Sequence, residues 1–196
     1  ELQAHPIQID IFDPGEWPGA GPNYDPGQSD DCILNIPVRS LNIDPPADPT
    51  AAISDFIQPF ESWSKTAYQS EDFPPRSHLG AYFNARFQAL CAATDGRFTI
   101  THHRTQVETL TGANGDWRLR TTTAEFGPYS EVLLTQGQPQ TEPDDQLKRW
   151  KRHAADHDLA LIDAYPANAL LTAAQGWADK SVAVRGLGLS TFDVVR

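Results

Sequence analysis

The chain has 196 residues, enough for one large domain or one domain and part of a second, and its 39% hydrophobic and 21% charged content is that of a folded globular protein. Acidic residues outnumber basic ones 26 to 15, and the resulting formal charge of −11 repels phosphate backbones, which argues against nucleic acid as a partner. No apolar run reaches the ~18–20 residues that cross a bilayer, the first residues show no basic-then-apolar leader pattern, and Cys32 and Cys91 have neither CxxC nor zinc spacing, so a reduced pair in a cytoplasmic protein is expected, with no membrane partner and no metal.

In chain order, Ile7–Phe12 (IQIDIF) alternates apolar and polar side chains, the period of a strand, and Asp13-Pro14-Gly15 ends it. Residues 13–49 are rich in Pro, Gly, Asn and Asp, with a short apolar break at 32–38; a structured loop this long points to a function. Phe56, Phe60 and Trp63 at i, i+4 and i+7 predict a helix over residues 51–68, with Pro59 as a kink or break. A stronger helix is predicted over residues 78–93, where Leu79, Tyr82, Phe83, Arg86, Phe87 and Leu90 share one face; Tyr82 there reads as core.

The period then changes. Residues 98–102, 106–111 and 116–123 read as short strands of an antiparallel meander, with Ala113-Asn114-Gly115 as a hairpin turn. Residues 130–135 (SEVLLT) predict a more apolar, buried strand followed by Gly137. Residues 144–156 predict a polar helix or linker, residues 167–178 a helix, and residues 180–185 (KSVAVR) a last strand. His102 and His103 form no ligand set with a nearby carboxylate and read as strand-end residues. Trp63, Trp117, Trp150 and Trp177 read as packing residues, whereas Trp17 lies within the long loop, where it packs or stacks on a ligand ring.

That last strand runs into Gly186-x-Gly188-x-x-Thr191 and a helix-compatible run. The stretch reads either as a plain turn or as the opening of a dinucleotide-binding βαβ unit. In the second reading the first Gly permits the turn, the second lets backbone approach a pyrophosphate, and the helix N-terminus supplies donors and partial positive charge. Thr191 stands where a third Gly or Ala is usual. Asp13, closing the first strand, reads either as a turn-forming Asp before Pro or as the acidic residue that holds a ribose hydroxyl in such a unit.

Five stretches then fall in one order. They are Asp13-Pro14-Gly15 with Gly19-Ala20-Gly21-Pro22-Asn23-Tyr24; Leu34-Asn35-Ile36-Pro37; Phe73-Pro74-Pro75-Arg76 with Gly80 and Tyr82; Leu133-Leu134-Thr135-Gln136-Gly137-Gln138-Pro139; and Val184-Arg185-Gly186-Leu187-Gly188-Leu189-Ser190. Together they resemble the FAD/NAD(P)-binding flavoproteins with two dinucleotide-binding domains, in an uncharacterised bacterial branch related to lysine and ornithine N-hydroxylases and more distantly to glutathione-reductase-like oxidoreductases. Gln136 departs from that pattern, which has Thr or another small residue before the Gly. With no redox CxxC or CxxxxC pair, the disulfide-reductase chemistry of the distant relatives is not expected.

The resemblance implies an α/β fold: a Rossmann-type FAD-binding domain with an antiparallel β-meander crossover, plus the start of a second Rossmann unit. Its domains would be residues 1–140 (FAD-binding-like), 141–179 (linker and helices) and 180–196 (start of the NAD(P)-binding unit). Members are longer, so the first strand with its GxGxxG and most of the NAD(P) half are expected to lie outside these residues. The absence of methionine, where a usual frequency of ~2% gives about four, suggests the same.

It further implies that Asp13 holds the adenosine ribose of FAD, that Gly19, Gly21 and Asn35 line the flavin side, and that Gly137 lies at the same cleft. Gly186 and Gly188 would bind the NAD(P)H pyrophosphate. Asn35 offers an acceptor and two donors to the mixed edge of an isoalloxazine, or else stabilises its loop. Arg76 pairs with a pyrophosphate or a nicotinamide-nucleotide phosphate, or else is a surface residue at the start of its helix. The function so implied is FAD-dependent oxidoreduction with NAD(P)H, with a monooxygenase step as an extension and a small molecule as substrate. A non-catalytic dinucleotide-binding or sensing module is the alternative. No residue is singled out as general acid or base.

Overall fold

A computed structural model describes residues 6–43, 58–92, 98–137, 141–188 and 190–195. In chain order its elements are β1 (Ile7–Phe12), α1 (Phe60–Trp63), α2 (Arg76–Ala92), β2 (Phe98–His103), β3 (Val107–Ala113), β4 (Asp116–Thr121), β5 (Glu125–Tyr129), α3 (Asp145–Asp156), α4 (Ala167–Ala174) and α5 (Ser190–Val195), with single 3-10 turns at Pro22–Tyr24 and Val38–Ser40. They form two units, residues 1–106 with 181–196, and residues 107–180. This is a mixed α/β chain with one parallel and one antiparallel sheet.

In the first unit β1 and β2 pair in parallel, Ile7 opposite Phe98 and Phe12 opposite His103. Parallel neighbours require a long crossover, and α2 is its main element. Here the structure corrects one expectation. Residues 98–103 alternate like the meander strands, but they pair with β1, and the meander begins at Val107. Periodicity states that a segment is a strand; the direction of its partner comes from the chain path between them.

Of the helix expected over residues 51–68, residues 51–57 lie outside the described ones, and the rest is the single turn α1. Pro59 stands at its N-cap, since a proline cannot donate to a preceding turn, and Ser64 ends it in an extended conformation. α2 starts at Arg76, two residues before the expected point, directly after Pro74-Pro75. Residues 32–39 run beside residues 70–76: Leu34 N donates to the Pro74 carbonyl (2.8 Å), Arg76 N to Cys32 (2.8 Å), Val38 N to Asp72 (2.9 Å) and Arg39 N to Ser70 (3.0 Å). Leu34, Phe60, Leu79 and Tyr82 form the core between these segments, with Tyr24, Tyr68 and Phe83 packed on it. Tyr82 is the core residue expected: it is 1% exposed, and its hydroxyl donates to the Gln58 carbonyl at 2.7 Å.

The second unit carries the meander β3-β4-β5. Asn114 and Gly115 make the two-residue turn between Ala113 and its partner Asp116, as their sequence predicts. β5 was not legible, because Gly127 and Pro128 lie within it and both residue types are poor in strands. Asp144 caps α3 by accepting from Leu147 N at 2.7 Å.

Two expected strands do not form among the described residues. Residues 130–135 and 180–185 carry no ladder, and Leu133 and Leu134 are 87% and 59% exposed. An apolar run makes a strand only when a second strand exchanges backbone hydrogen bonds with it, and among the described residues neither run lies in a sheet.

Candidate functional site

The site begins at the carboxyl ends of the parallel strands. Asp13 follows β1, and its amide donates to the His103 carbonyl at 3.2 Å, extending the β1–β2 pairing by one step. Its Oδ1 accepts from Gly15 N at 2.8 Å, the turn-forming arrangement, while its carbonyl meets His102 Nε2 at 3.2 Å. Within β1, Asp10 pairs with His103 at 2.9 Å, and Phe12 stacks on the same imidazole.

One face of α2 organises everything that follows. Residues 76, 80, 83 and 87 recur at i, i+4, i+7 and i+11, a single line along the helix. Between them they meet the loop at Ile33, Tyr24 and Gly19. Arg76 Nε donates to the Ile33 carbonyl at 3.0 Å. A Cβ at Gly80 would overlap the Tyr24 carbonyl, so the 3-10 turn at Pro22–Tyr24 lies directly on the helix backbone. The Phe83 ring meets Tyr24 edge-on at 5.8 Å, and the Phe83 carbonyl lies 2.9 Å from where a Cβ at Gly19 would stand. Phe87 also packs against Gly19 and meets His102 edge-on at 5.7 Å, which closes the circuit to Asp13.

Gly19 and Gly21 therefore differ. Gly19 is closed against α2, whereas Gly21, at φ +67°, has nothing within 4 Å of a would-be Cβ and leaves its backbone approachable. Asn35 is exposed, next to buried Leu34. Arg76 is not a surface residue: Nη2 holds Asp193 Oδ2 of α5 at 2.8 Å, with the two side chains 19% and 6% exposed. This contact brings the segment after Gly186 and Gly188 to the start of α2. At that segment Thr191 closes the turn, its hydroxyl donating to the Gly186 carbonyl (3.1 Å) and its amide to that of Gly188 (3.0 Å). Neither glycine has an atom within 4 Å of a Cβ position. Gly137 lies in the second unit, at φ +71° and equally open.

These features accommodate a dinucleotide. The backbone at Gly21, at Gly186 and at Gly188 is open to approach, and an acidic residue stands at the end of a parallel strand. A family model of FAD-NAD(P)-binding proteins matches residues 1–139. The chain belongs to this FAD-NAD(P)-binding family. The match supports binding of a flavin or nicotinamide dinucleotide, and it covers the parallel strands, the loop and α2. No curated protein matches the chain. Among the described residues no helix is long and apolar enough to cross a membrane, and no group of three or more His, Cys, Asp or Glu is arranged to hold a metal ion.

Sequence reasoning missed three features of this FAD-NAD(P)-binding domain. Asp193 as the partner of Arg76 had no local signal, since the two are 117 residues apart. Gly80 did have one: a glycine inside a strong helix marks a close approach. The third is a polar cluster at the start of α2. Ser77 donates to Asp30 at 2.6 Å, His78 lies 3.8 Å from the same carboxylate, and the other His78 nitrogen makes a short hydrogen bond with Tyr68. Burial pushes the Tyr68 phenol up from 10.0; the Thr66 hydroxyl opposes this, and Asp30 and Asp72 add to it. Cys32 is 2% exposed, and its thiol is raised from 9.0 by burial and then by Asp193, with Arg76 opposing. It is a packed thiol rather than a nucleophile.

Proposed function

We propose that this domain belongs to an FAD-dependent oxidoreductase that uses NAD(P)H, kin to the lysine and ornithine N-hydroxylases, acting on a small molecule. What supports the reading is the parallel strand pair with Asp13 at its carboxyl end and α2 packed on the loop at Gly19, Tyr24 and Ile33. When bound, FAD would supply two-electron redox chemistry between NAD(P)H and the substrate. The chain's own residues bind and orient. Asp13 has its Oδ1 in the Gly15 turn and offers its second oxygen to the adenosine ribose. Gly21 presents backbone to the cofactor. Asn35 presents donor and acceptor to the flavin edge, and Gly186 and Gly188 receive the nicotinamide dinucleotide.

Arg76 enters this scheme differently from a phosphate clamp. Its fork is already set between the Ile33 carbonyl and Asp193, so its proposed role is to shape the site. Residues 1–140 are proposed as the flavin-side domain and residues 180–196 as the start of the nicotinamide-side unit.

The test is the visible spectrum and NADPH consumption of the protein expressed from its whole gene. A flavin spectrum bleached by NADPH is the expected result. A colourless protein that takes up no FAD overturns the reading, and a flavin spectrum untouched by NADPH or NADH leaves a dinucleotide-binding module without turnover.

A further inference from the structure

We propose that the Arg76–Asp193 ion pair is a positioning strut that couples the dinucleotide site at residues 13–37 to the one at the Gly186–Gly188 turn. The proposal rests on the reading above that both stretches bind dinucleotides. The pair joins residues 117 apart in the chain, at 2.8 Å, and both side chains are largely withdrawn from water. It thus differs from the Arg39–Glu71 pair on the same unit, whose side chains are 57% and 70% exposed and which solvent screens.

Both ends of the strut are anchored to backbone. At one end the Arg76 amide donates to the Cys32 carbonyl at 2.8 Å and Nε to the Ile33 carbonyl at 3.0 Å. Cys32 and Leu34, on either side of Ile33, are 2% and 4% exposed, so this stretch cannot shift without moving the guanidinium. Directly after it come Asn35, Ile36 and Pro37. At the other end Asp193 lies in α5, and Thr191 of the same short helix ties it to Gly186 and Gly188 through two hydrogen bonds. The planar fork of arginine fixes direction as well as distance, which a lysine does not. Breaking such a pair strands a buried charge, so it holds one geometry rather than sliding among several. A ligand that orders the glycine turn therefore orders the flavin-side loop, and by linkage the reverse holds by the same factor.

The first test needs no ligand. Amide hydrogen exchange is measured on the wild-type chain, Asp193→Asn and Arg76→Lys. Both variants are expected to exchange faster at residues 32–36 and at residues 190–195 together, with β3–β5 unchanged. No change, or a change confined to residues 190–195, overturns the strut. The second test titrates FAD into the protein expressed from its whole gene, with and without saturating NADP⁺. The wild type is expected to show a coupling of about fivefold or more, the lower end for coupled sites. In Asp193→Asn that factor is expected to fall to one, whatever the FAD affinity without NADP⁺. A coupling that survives the substitution overturns the strut. Failure of either dinucleotide to bind overturns the proposed function instead, and the exchange result still decides the strut.

Discussion

The two glycine-bearing stretches of the first unit are built on opposite principles. Around Gly19 and Gly80 the missing side chains let one backbone lie on another: the 13–24 loop is pressed onto α2, and a methyl group at either position meets a carbonyl oxygen. Around Gly186 and Gly188 nothing stands within 4 Å of the same position. Gly19 and Gly80 are packing residues, whereas Gly186 and Gly188 leave room. A motif written only in glycines does not distinguish the two, although their substitutions act on different observables.

The largest expected effect comes from the closed stretch. Gly80→Ala places a methyl on the Tyr24 carbonyl, which is backbone and cannot swing aside, and it should cost about 3 kcal/mol, the upper end for overpacking. Urea unfolding measures this, and a loss below about 1 kcal/mol would mean that the loop lifts off α2 without penalty. Next comes the contact that ties the two stretches together. Asp193→Ala leaves the Arg76 charge without its carboxylate in a poorly hydrated place, for a loss of about 3 kcal/mol softened by the Ile33 carbonyl that Arg76 retains. Asp193→Asn keeps a hydrogen-bond acceptor and should cost clearly less in the same unfolding series.

The glycine pair Gly19 and Gly188 sharpens the contrast directly. Gly19→Ala combines left-handed backbone, φ +88°, with a contact of 2.9 Å to the Phe83 carbonyl, and should cost about 2 kcal/mol. Gly188→Ala should change stability by no more than about 0.5 kcal/mol while weakening NADP⁺ binding, so thermal unfolding and nucleotide titration read out different residues. Asp13→Asn keeps the turn to Gly15 and removes the charge. FAD affinity should fall about tenfold, or ~1.4 kcal/mol, with an unchanged melting transition.

The smallest effect is on pH dependence. Cys32, Cys91 and Tyr68 all hold their protons more tightly in the folded chain, chiefly through burial. Raised groups of this kind contribute stability that is fully present below their unfolded values and is lost as pH rises through the folded ones. Unfolding free energy should accordingly be flat with respect to these groups through neutrality and decline above the ordinary thiol value of 9.0. Below that pH, alkylation of the folded protein should reach Cys91 before Cys32, which is buried; mass spectrometry of the labelled chain checks the order.

Much of this is legible in the sequence. The alternation of Ile7, Ile9 and Ile11 marks β1, the apolar stripe marks α2, and Asn114-Gly115 marks the β3–β4 hairpin, because side-chain period and turn chemistry are local properties of the chain. The family motifs were legible too, since they are fixed residues at fixed spacing. The sequence alone thus determined a helix from residue 78 with Leu79, Tyr82, Phe83 and Phe87 on one face, and the α/β class. Only the tertiary structure decided what each of these meets. Residues 98–103 run parallel to β1, Gly19 is closed where Gly21 is open, and Arg76 holds Asp193. Residues 130–135 and 180–185 look like strands yet carry no ladder. The reason is the same in each case: periodicity records which face of a segment is apolar, whereas a ladder, a close approach or an ion pair needs a second segment, and its position is set by the path of the chain between the two.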